Sequence, residues 1–426
     1  MAFSIFIIVF VLLFAFGMPI AFTMVISSIV YALINGIDLS FYSLESFKSL
    51  SNIALAAIPM FMLTAEIMNS STVADRMFKF ANSVIGWVPG GLGHTNVLTS
   101  VIFSGMSGSA AADVGGIGYI AYKSMKDRGF DGPFSAAVTA ASACIGPIIP
   151  PSIPVIVYAM TIPAASVGRL FLGGIIPGFF MAISMMIYIY FISKKRKYPI
   201  EKKPTMYDLW IATKLGILPV LTPVILLLTI TLGMVTISEG AVITVLYSCF
   251  LGSVLYRQLG LKDFLMSLKN VILVIGRILM FFLASQMFRF VLAKEHLVGT
   301  LSDLLMGVTT TPFVILLIIN IFFIIIGCLS DPLVNIMLFG PLAWSIAMPL
   351  GIDPNAFGLM VIFNCMIGLI TPPVGGMAFI VSGLTKEPLE KIFKELAPFV
   401  FGYIVVLILI TKFPSIITFI PNFILG

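Results

Sequence analysis

The sequence is short of charge. Asp, Glu, Lys and Arg make up only 10% of its 426 residues, against 60% hydrophobic residues. A soluble chain carries about 25% charged residues, so lipid rather than water must cover this surface. Histidine is nearly missing: His94 and His296 are the two copies. The chain has no HExxH and no GxSxG, and no glycine is followed by lysine. These absences remove a zinc protease, a serine hydrolase and the Walker A loop of an ATP-driven pump, and leave a membrane-embedded enzyme as a distant alternative. The four cysteines, Cys144, Cys249, Cys328 and Cys365, sit singly in apolar runs without metal-site spacing, and read as packing thiols. No cleavage motif follows the first apolar run, 3–35, which is too long for a signal peptide core.

What the chain has is apolar runs of bilayer length, such as 170–193, 215–232 and 271–292. Ten crossings are predicted, at about 3–16, 18–35, 51–70, 134–164, 170–193, 215–234, 240–256, 270–293, 355–383 and 397–413. Two further segments, about 81–125 and 303–345, have shorter or more broken apolar arms flanking a polar, glycine-bearing tip. They read as re-entrant hairpins, which survive at membrane depth only where protein or a water-filled cavity meets their backbone.

The net charge of +6 lies between these runs, so it reads as a topology signal rather than a nucleic-acid face. Placing Lys194, Lys195, Arg196, Lys197, Lys202 and Lys203 in the cytoplasm puts both termini in the periplasm. Lys48, Arg169, Lys294 and Lys412 are then the basic loop residues left outside, and Arg277 and Arg289 fall within a span. An intramembrane arginine is a functional candidate by default, although Arg277 near the cytoplasmic end can snorkel.

The chain repeats itself at an offset of 222 residues. Gly105 recurs as Gly327, Gly118 as Gly340, Gly129-x-Asp131 as Gly351-x-Asp353, Ile145-Gly146 as Ile367-Gly368, and Pro150-Pro151 as Pro372-Pro373. The domain reading is a first repeat over 1–193, a basic cytoplasmic linker over 194–214 and a second repeat over 215–426. Five crossings per half is odd, so the second half runs upside down. Inverted repeats with interrupted helices mark secondary transporters, with the site near the midplane.

The chemistry centres on the proline pairs. Proline has no N–H and clashes with the carbonyl four residues back. Pro150 and Pro151 therefore free the carbonyls of Gly146 and Pro147, and Pro372 and Pro373 those of Gly368 and Leu369. A bare carbonyl in hydrocarbon is unfavourable, and a bound cation satisfies several together. Two sodium sites are predicted. One joins Ser104, Gly105 and Ser107 to Gly146, Ile149 and Pro150; the other joins Gly327 and Ser330 to Gly368, Thr371 and Pro372. Oxygen-only ligands suit a hard cation. An anionic substrate would lie between the tips, held by helix N-termini and by Ser107, Ser109, Ser152, Asp331, Asn364 or Thr371. Asp113 and Asp331 could equally brace their hairpins, and Glu66 could face water or a partner.

Residues 102–113, Ile-Phe-Ser-Gly-Met-Ser-Gly-Ser-Ala-Ala-Ala-Asp, resemble a signature of the large membrane subunit of tripartite ATP-independent periplasmic (TRAP) transporters. Segments 143–152, 368–373 and 90–97 are also similar to that family, and the resemblance spans essentially the whole chain. It implies an all-α, elevator-type carrier with a fold related to divalent-anion/sodium symporters. It also implies a separate small membrane subunit, a soluble periplasmic substrate-binding protein, location in the bacterial inner membrane, and sialic acids, C4-dicarboxylates or other carboxylates as substrates. Two alternatives stay open: an anion/sodium symporter that needs no binding protein, and a passive channel.

Overall fold

A computed structural model describes residues 1–70, 73–297, 299, 307, 309 and 311–426. Helices make the whole framework, and no strand occurs among the described residues. In chain order the first half holds α1 (Ala2–Ala15), α2 (Ile20–Ile34), α3 (Leu39–Leu50), α4 (Ala57–Ser70), α5 (Val73–Ile85), α6 (Gly91–Ser107), α7 (Ala110–Asp113), α8 (Tyr119–Asp127), α9 (Gly132–Ala143), α10 (Ile153–Thr161) and α11 (Val167–Arg196). The second half holds α12 (Met206–Thr231), α13 (Ile237–Cys249), α14 (Leu261–Lys294), α15 (Pro312–Leu329), α16 (Pro332–Ala347), α17 (Pro354–Leu369), α18 (Gly376–Thr385), α19 (Leu389–Lys412) and α20 (Ser415–Leu425).

Among the described residues, seven helices are long and apolar enough to cross a membrane, or up to eight if the bent α12 is one span. The chain is a multi-pass membrane protein. The first expected crossing, 3–16, is as short as anticipated, with 14 residues in α1, and the second, expected over 18–35, is shorter, with 15 in α2; both fall below the ~20 that span a bilayer upright. They form a hairpin of helices, because Gly17 turns the chain with φ of 81° and Pro19 starts the next helix.

The first expected hairpin begins with α6 at Gly91, not near 81. Residues 81–85 end α5, which buries Val73, Ala74, Met77, Phe78 and Ala81 along one face and packs on α6 and α12. The returning arm is not one helix: α7 and α8 are joined by a π-helical turn, Val114–Gly118. The second hairpin, expected over 303–345, begins partly outside the described residues; its described arms are α15 and α16. Both are long and apolar enough to span, so length alone does not separate an arm from a crossing. The basic linker is also shorter than expected. Lys194, Lys195 and Arg196 extend α11, where positive charge suits a helix C-terminus. A Thr205–Asp208 capping box starts α12 at Met206.

The element bounds repeat with the sequence. α6 and α15 end 222 residues apart, and α7 and α16, α9 and α17, and α11 and α19 start 222 apart. Both proline pairs interrupt a helix: α9 stops before 144–152 and α17 before 370–375. Each pair holds a cis bond, Pro150–Pro151 and Pro372–Pro373. The first break packs on the glycines of α11. A Cβ at Gly174 would strike the Ile148 carbonyl, and one at Gly178 the Ile149 side chain.

Buried polar contacts knit each arm to its broken helix. On the first side Asn96 Nδ2 donates to Thr139 Oγ1 at 2.8 Å, and Ser142 Oγ donates to Asn96 Oδ1 at 3.1 Å. On the second, Asn364 Nδ2 donates to Asn320 Oδ1 at 2.8 Å, and Asn320 Nδ2 to Thr411 Oγ1 at 2.9 Å. Two tyrosines cross between the halves: Tyr403 OH donates to Ala141 O at 2.8 Å and Tyr158 OH to Pro354 O at 3.0 Å.

Three loops rich in basic residues meet at one end of the molecule. Lys126 pairs with Glu387 at 2.7 Å, Arg128 with Glu201 at 2.5 Å, and Arg196 with Glu395 at 2.8 Å and Asp131 at 3.1 Å. Burial opposes ionisation of Glu387, but hydrogen bonds from Lys126 and Tyr122 outweigh it and hold the carboxyl below its usual range.

Candidate functional site

The first tip turns at Gly108, which ends α6 with a left-handed φ of 56°. Its carbonyl accepts the N–H of Ile153 at 3.3 Å, and a Cβ there would lie 2.6 Å from Pro151 O. Tip and break therefore touch backbone to backbone, which only glycine permits here. Gly105 lies beside Pro150: a Cβ at 105 would sit 3.6 Å from Pro150 O, with the Pro223 ring of α12 closer still. The small residue thus also answers to packing on α12, which the sequence did not reveal. Ser104 is fully buried; its hydroxyl donates to Val101 O at 2.6 Å and its carbonyl accepts the N–H of Gly108. Ile149 presents its side chain to Gly178, leaving its main chain as the part that could serve an ion.

Ser107 donates its hydroxyl to Asp113 Oδ1. Asp113 is 0% exposed, and its second oxygen, Oδ2, has no hydrogen-bond partner. A Cβ at Gly146 would be 2.8 Å from that oxygen. An orphaned carboxylate oxygen beside a broken helix fits a hard cation. Asp113 therefore joins Gly105, Ser107, Gly146 and Pro150 in one neighbourhood, a member the motif reading left undecided between bracing and ligation.

Ser152 stands elsewhere. Its hydroxyl donates to Pro147 O at 2.5 Å and accepts the N–H of Val155 at 3.2 Å. It is fully buried, so it caps α10 and closes the carbonyl that Pro151 frees, rather than facing a substrate.

At the second tip Gly327 and Gly368 bring two backbones together. A Cβ on Gly327 would lie 3.3 Å from Gly368 Cα, and one on Gly368 would lie 2.6 Å from Gly327 Cα. Gly375 N–H donates to Cys328 O at 3.2 Å. Ser330 donates to Asn335 Oδ1 at 2.5 Å, and Thr371 Oγ1 to Ile367 O at 2.7 Å. Pro372 is exposed beside them. Asp331 caps α16, accepting the Leu333 N–H at 2.8 Å. Asn364 is buried in the α15–α17 seam, away from the tip.

A cavity of about 570 Å³ lies between the tips and breaks. Its wall takes Gly108 to Ala111 from one tip and Cys328 to Leu333 from the other. Pro147 comes from the first break, with Ile153 and Pro154 from the start of α10 after it; Val374 comes from the second, with Leu369 and Gly376 on the helix ends flanking it. Of the expected substrate residues, Ser109 and Asp331 line it; Ser107, Ser152, Asn364 and Thr371 do not. Arg277 of α14 lines it and, among the described residues, is its one basic residue. The span placed Arg277 near an end, and sequence could not show that α14 sets this exposed residue on the cavity wall. Among the described residues no three His, Cys, Asp or Glu side chains converge. The available ligands are hydroxyls, carbonyls and the carboxylates of Asp113 and Asp331, the latter already accepting the Leu333 N–H.

Comparison with known proteins agrees with this architecture. The family model for the tripartite ATP-independent periplasmic transporter, DctM component, matches residues 7–416. The chain is 36% identical over 416 residues to the sialic acid TRAP transporter large permease protein SiaM of Vibrio cholerae, covering 97% of each. It is 32% identical to the C4-dicarboxylate TRAP transporter large permease protein DctM of Pseudomonas aeruginosa, covering 89% of each. Its fold is similar to the crystal structure of the Alcanivorax borkumensis YdaH transporter, with a TM-score of 0.55 over 88% of each chain at 14% identity. A match along nearly the full length, over this helical framework, makes the chain a member of the DctM-component family of tripartite ATP-independent periplasmic transporters.

Proposed function

We propose that this protein takes up a small organic anion by sodium-coupled secondary transport, in the inner membrane, with a small membrane subunit and a periplasmic binding protein that delivers the substrate. The observation that carries this reading is the cavity, walled by both tips and both breaks and holding Arg277. A guanidinium suits a carboxylate because it donates two parallel hydrogen bonds. Ser109 and the tip N–H groups offer further donors.

Sodium would be held in two sites. The first draws on Ser104, Gly105, Ser107, Gly146, Ile149 and Pro150, with Asp113; the second on Gly327, Ser330, Gly368, Thr371 and Pro372. Ions there would fix the tips against the breaks and complete the pocket. Two ions falling through 100 mV supply about 4.6 kcal/mol, at about 2.3 kcal/mol per charge. The hairpins and broken helices, knitted by the Asn96 and Asn364 networks and by Tyr403, form the unit that would move as an elevator, with both termini periplasmic.

The test is uptake into proteoliposomes holding this chain and its small subunit, with candidate binding proteins outside and an inward sodium gradient. Labelled sialic acid is compared with succinate and malate. Accumulation that needs both sodium and a binding protein is expected. Uptake without a binding protein would favour a stand-alone symporter, and flux indifferent to sodium would remove the coupling.

A further inference from the structure

Asp113 and Asn335 stand 222 residues apart, at equivalent places in the two hairpins. Each accepts the hydroxyl of its tip serine, Ser107 or Ser330. Asn335 is then fully used, because its Nδ2 donates to Ile326 O at 3.3 Å and Ser330 O at 3.4 Å. Asp113 is not used up: Oδ2 is buried, unpartnered and beside Gly146. Among the described residues no basic side chain forms a salt bridge with Asp113. A buried carboxylate without a counter-charge is strongly unfavourable.

The surroundings differ in the same sense. Residues 144–152 of the first break are all buried. In the second, Pro372, Pro373 and Val374 are exposed, and Val374 lines the cavity. The acid near the second tip, Asp331, lies on the cavity wall with its carboxylate on the Leu333 N–H.

We propose that the two cation sites are electrically unequal. Asp113 gives the first site a formal negative charge, so its ion binds without substrate and locks the first tip. The second site, framed by neutral Asn335, Ser330 and Thr371, leaves its ion's charge open toward the cavity, and fills together with the substrate carboxylate. This deepens the sodium-coupled reading above and rests on it.

The test follows thermal unfolding of the full chain, with its small subunit in lipid nanodiscs, as NaCl replaces choline chloride, first without substrate. Wild-type protein is stabilised by sodium. Asp113→Asn raises the half-maximal sodium concentration about tenfold or more, since a full charge at contact distance is lost. Asn335→Asp lowers the sodium needed without substrate and removes the substrate dependence of the second component. An Asp113→Asn curve that overlays wild type overturns the proposal. Where Asp113→Asn yields no folded protein, Asn335→Asp decides, and an unchanged sodium curve there overturns it equally. A wild-type protein that ignores sodium altogether removes the sodium-coupled reading itself, which is a different result.

Discussion

The Ser152 hydroxyl donates to the Pro147 carbonyl at 2.5 Å while accepting the Val155 N–H. One side chain thus mends the helix on both sides of the first break. Ser152→Ala is expected to destabilise the protein by about 1–2 kcal/mol, the usual loss of an N-cap hydroxyl. Its signature is a lower unfolding midpoint with little change in substrate KM. A large rise in KM with an unchanged midpoint would return Ser152 to the substrate site.

Among the described residues, Arg277 supplies the one positive charge on the cavity wall. Arg277→Ala is expected to raise the KM for a carboxylate about 10- to 100-fold, the range of a charged hydrogen bond. Arg277→Lys should recover part of this loss, because a point charge replaces a planar fork. Initial uptake rates over a range of substrate concentrations separate the two. Equal KM values for all three proteins would take Arg277 out of recognition.

Gly368→Ala places a methyl group against the Gly327 backbone. Neither backbone can move aside as a flexible side chain would, so overpacking of about 1–3 kcal/mol is expected. Sodium-driven uptake should fall with it, since the second tip cannot seat. Gly383→Ala, where no atom lies within 4 Å of the added carbon, serves as the control for helix glycines. Helix propensity favours alanine at both positions, so a Gly368→Ala protein as stable and active as Gly383→Ala would remove the seam from the account.

Glu387 is held below its usual carboxyl range chiefly against the pull of burial, by Lys126 and Tyr122. A carboxyl with a depressed folded value stabilises the protein above its unfolded value and loses that contribution as pH falls through the folded one. The loss therefore falls below about pH 4.3, the ordinary Glu value. Glu387→Gln should lower the unfolding midpoint at neutral pH and flatten the decline on acidification. A variant that tracks wild type from pH 7 to 3 would show the pair contributes nothing.

Much of this site could be read from the sequence because proline and glycine act through the backbone. Pro150 and Pro372 dictate the breaks wherever the side chains around them point. Ser109 and Asp331, next to tip glycines or prolines, were placed by the same logic. Side-chain direction was not legible. Ser152 and Asn364 belong to apolar segments and look like free ligands until their partners, Pro147 and Asn320, are known. Arg277 depends on the rotation of α14, which no local pattern fixes. The shortness of α2 escaped notice because continuous apolarity hides where a helix stops, and the end of amphipathic α5 merged with the hairpin that follows it.

Tyr403 and Tyr158 place their hydroxyls on the opposite half of the chain, at Ala141 and Pro354. Each half therefore relies on the other to receive one buried tyrosine hydroxyl. Cut within 197–205 and made alone, each fragment would bury polar atoms in hydrocarbon with nothing to greet them. Made together, the two fragments hold complementary ends of the same stitches, so the nascent first half must wait for the ribosome to finish the second before its interior is complete.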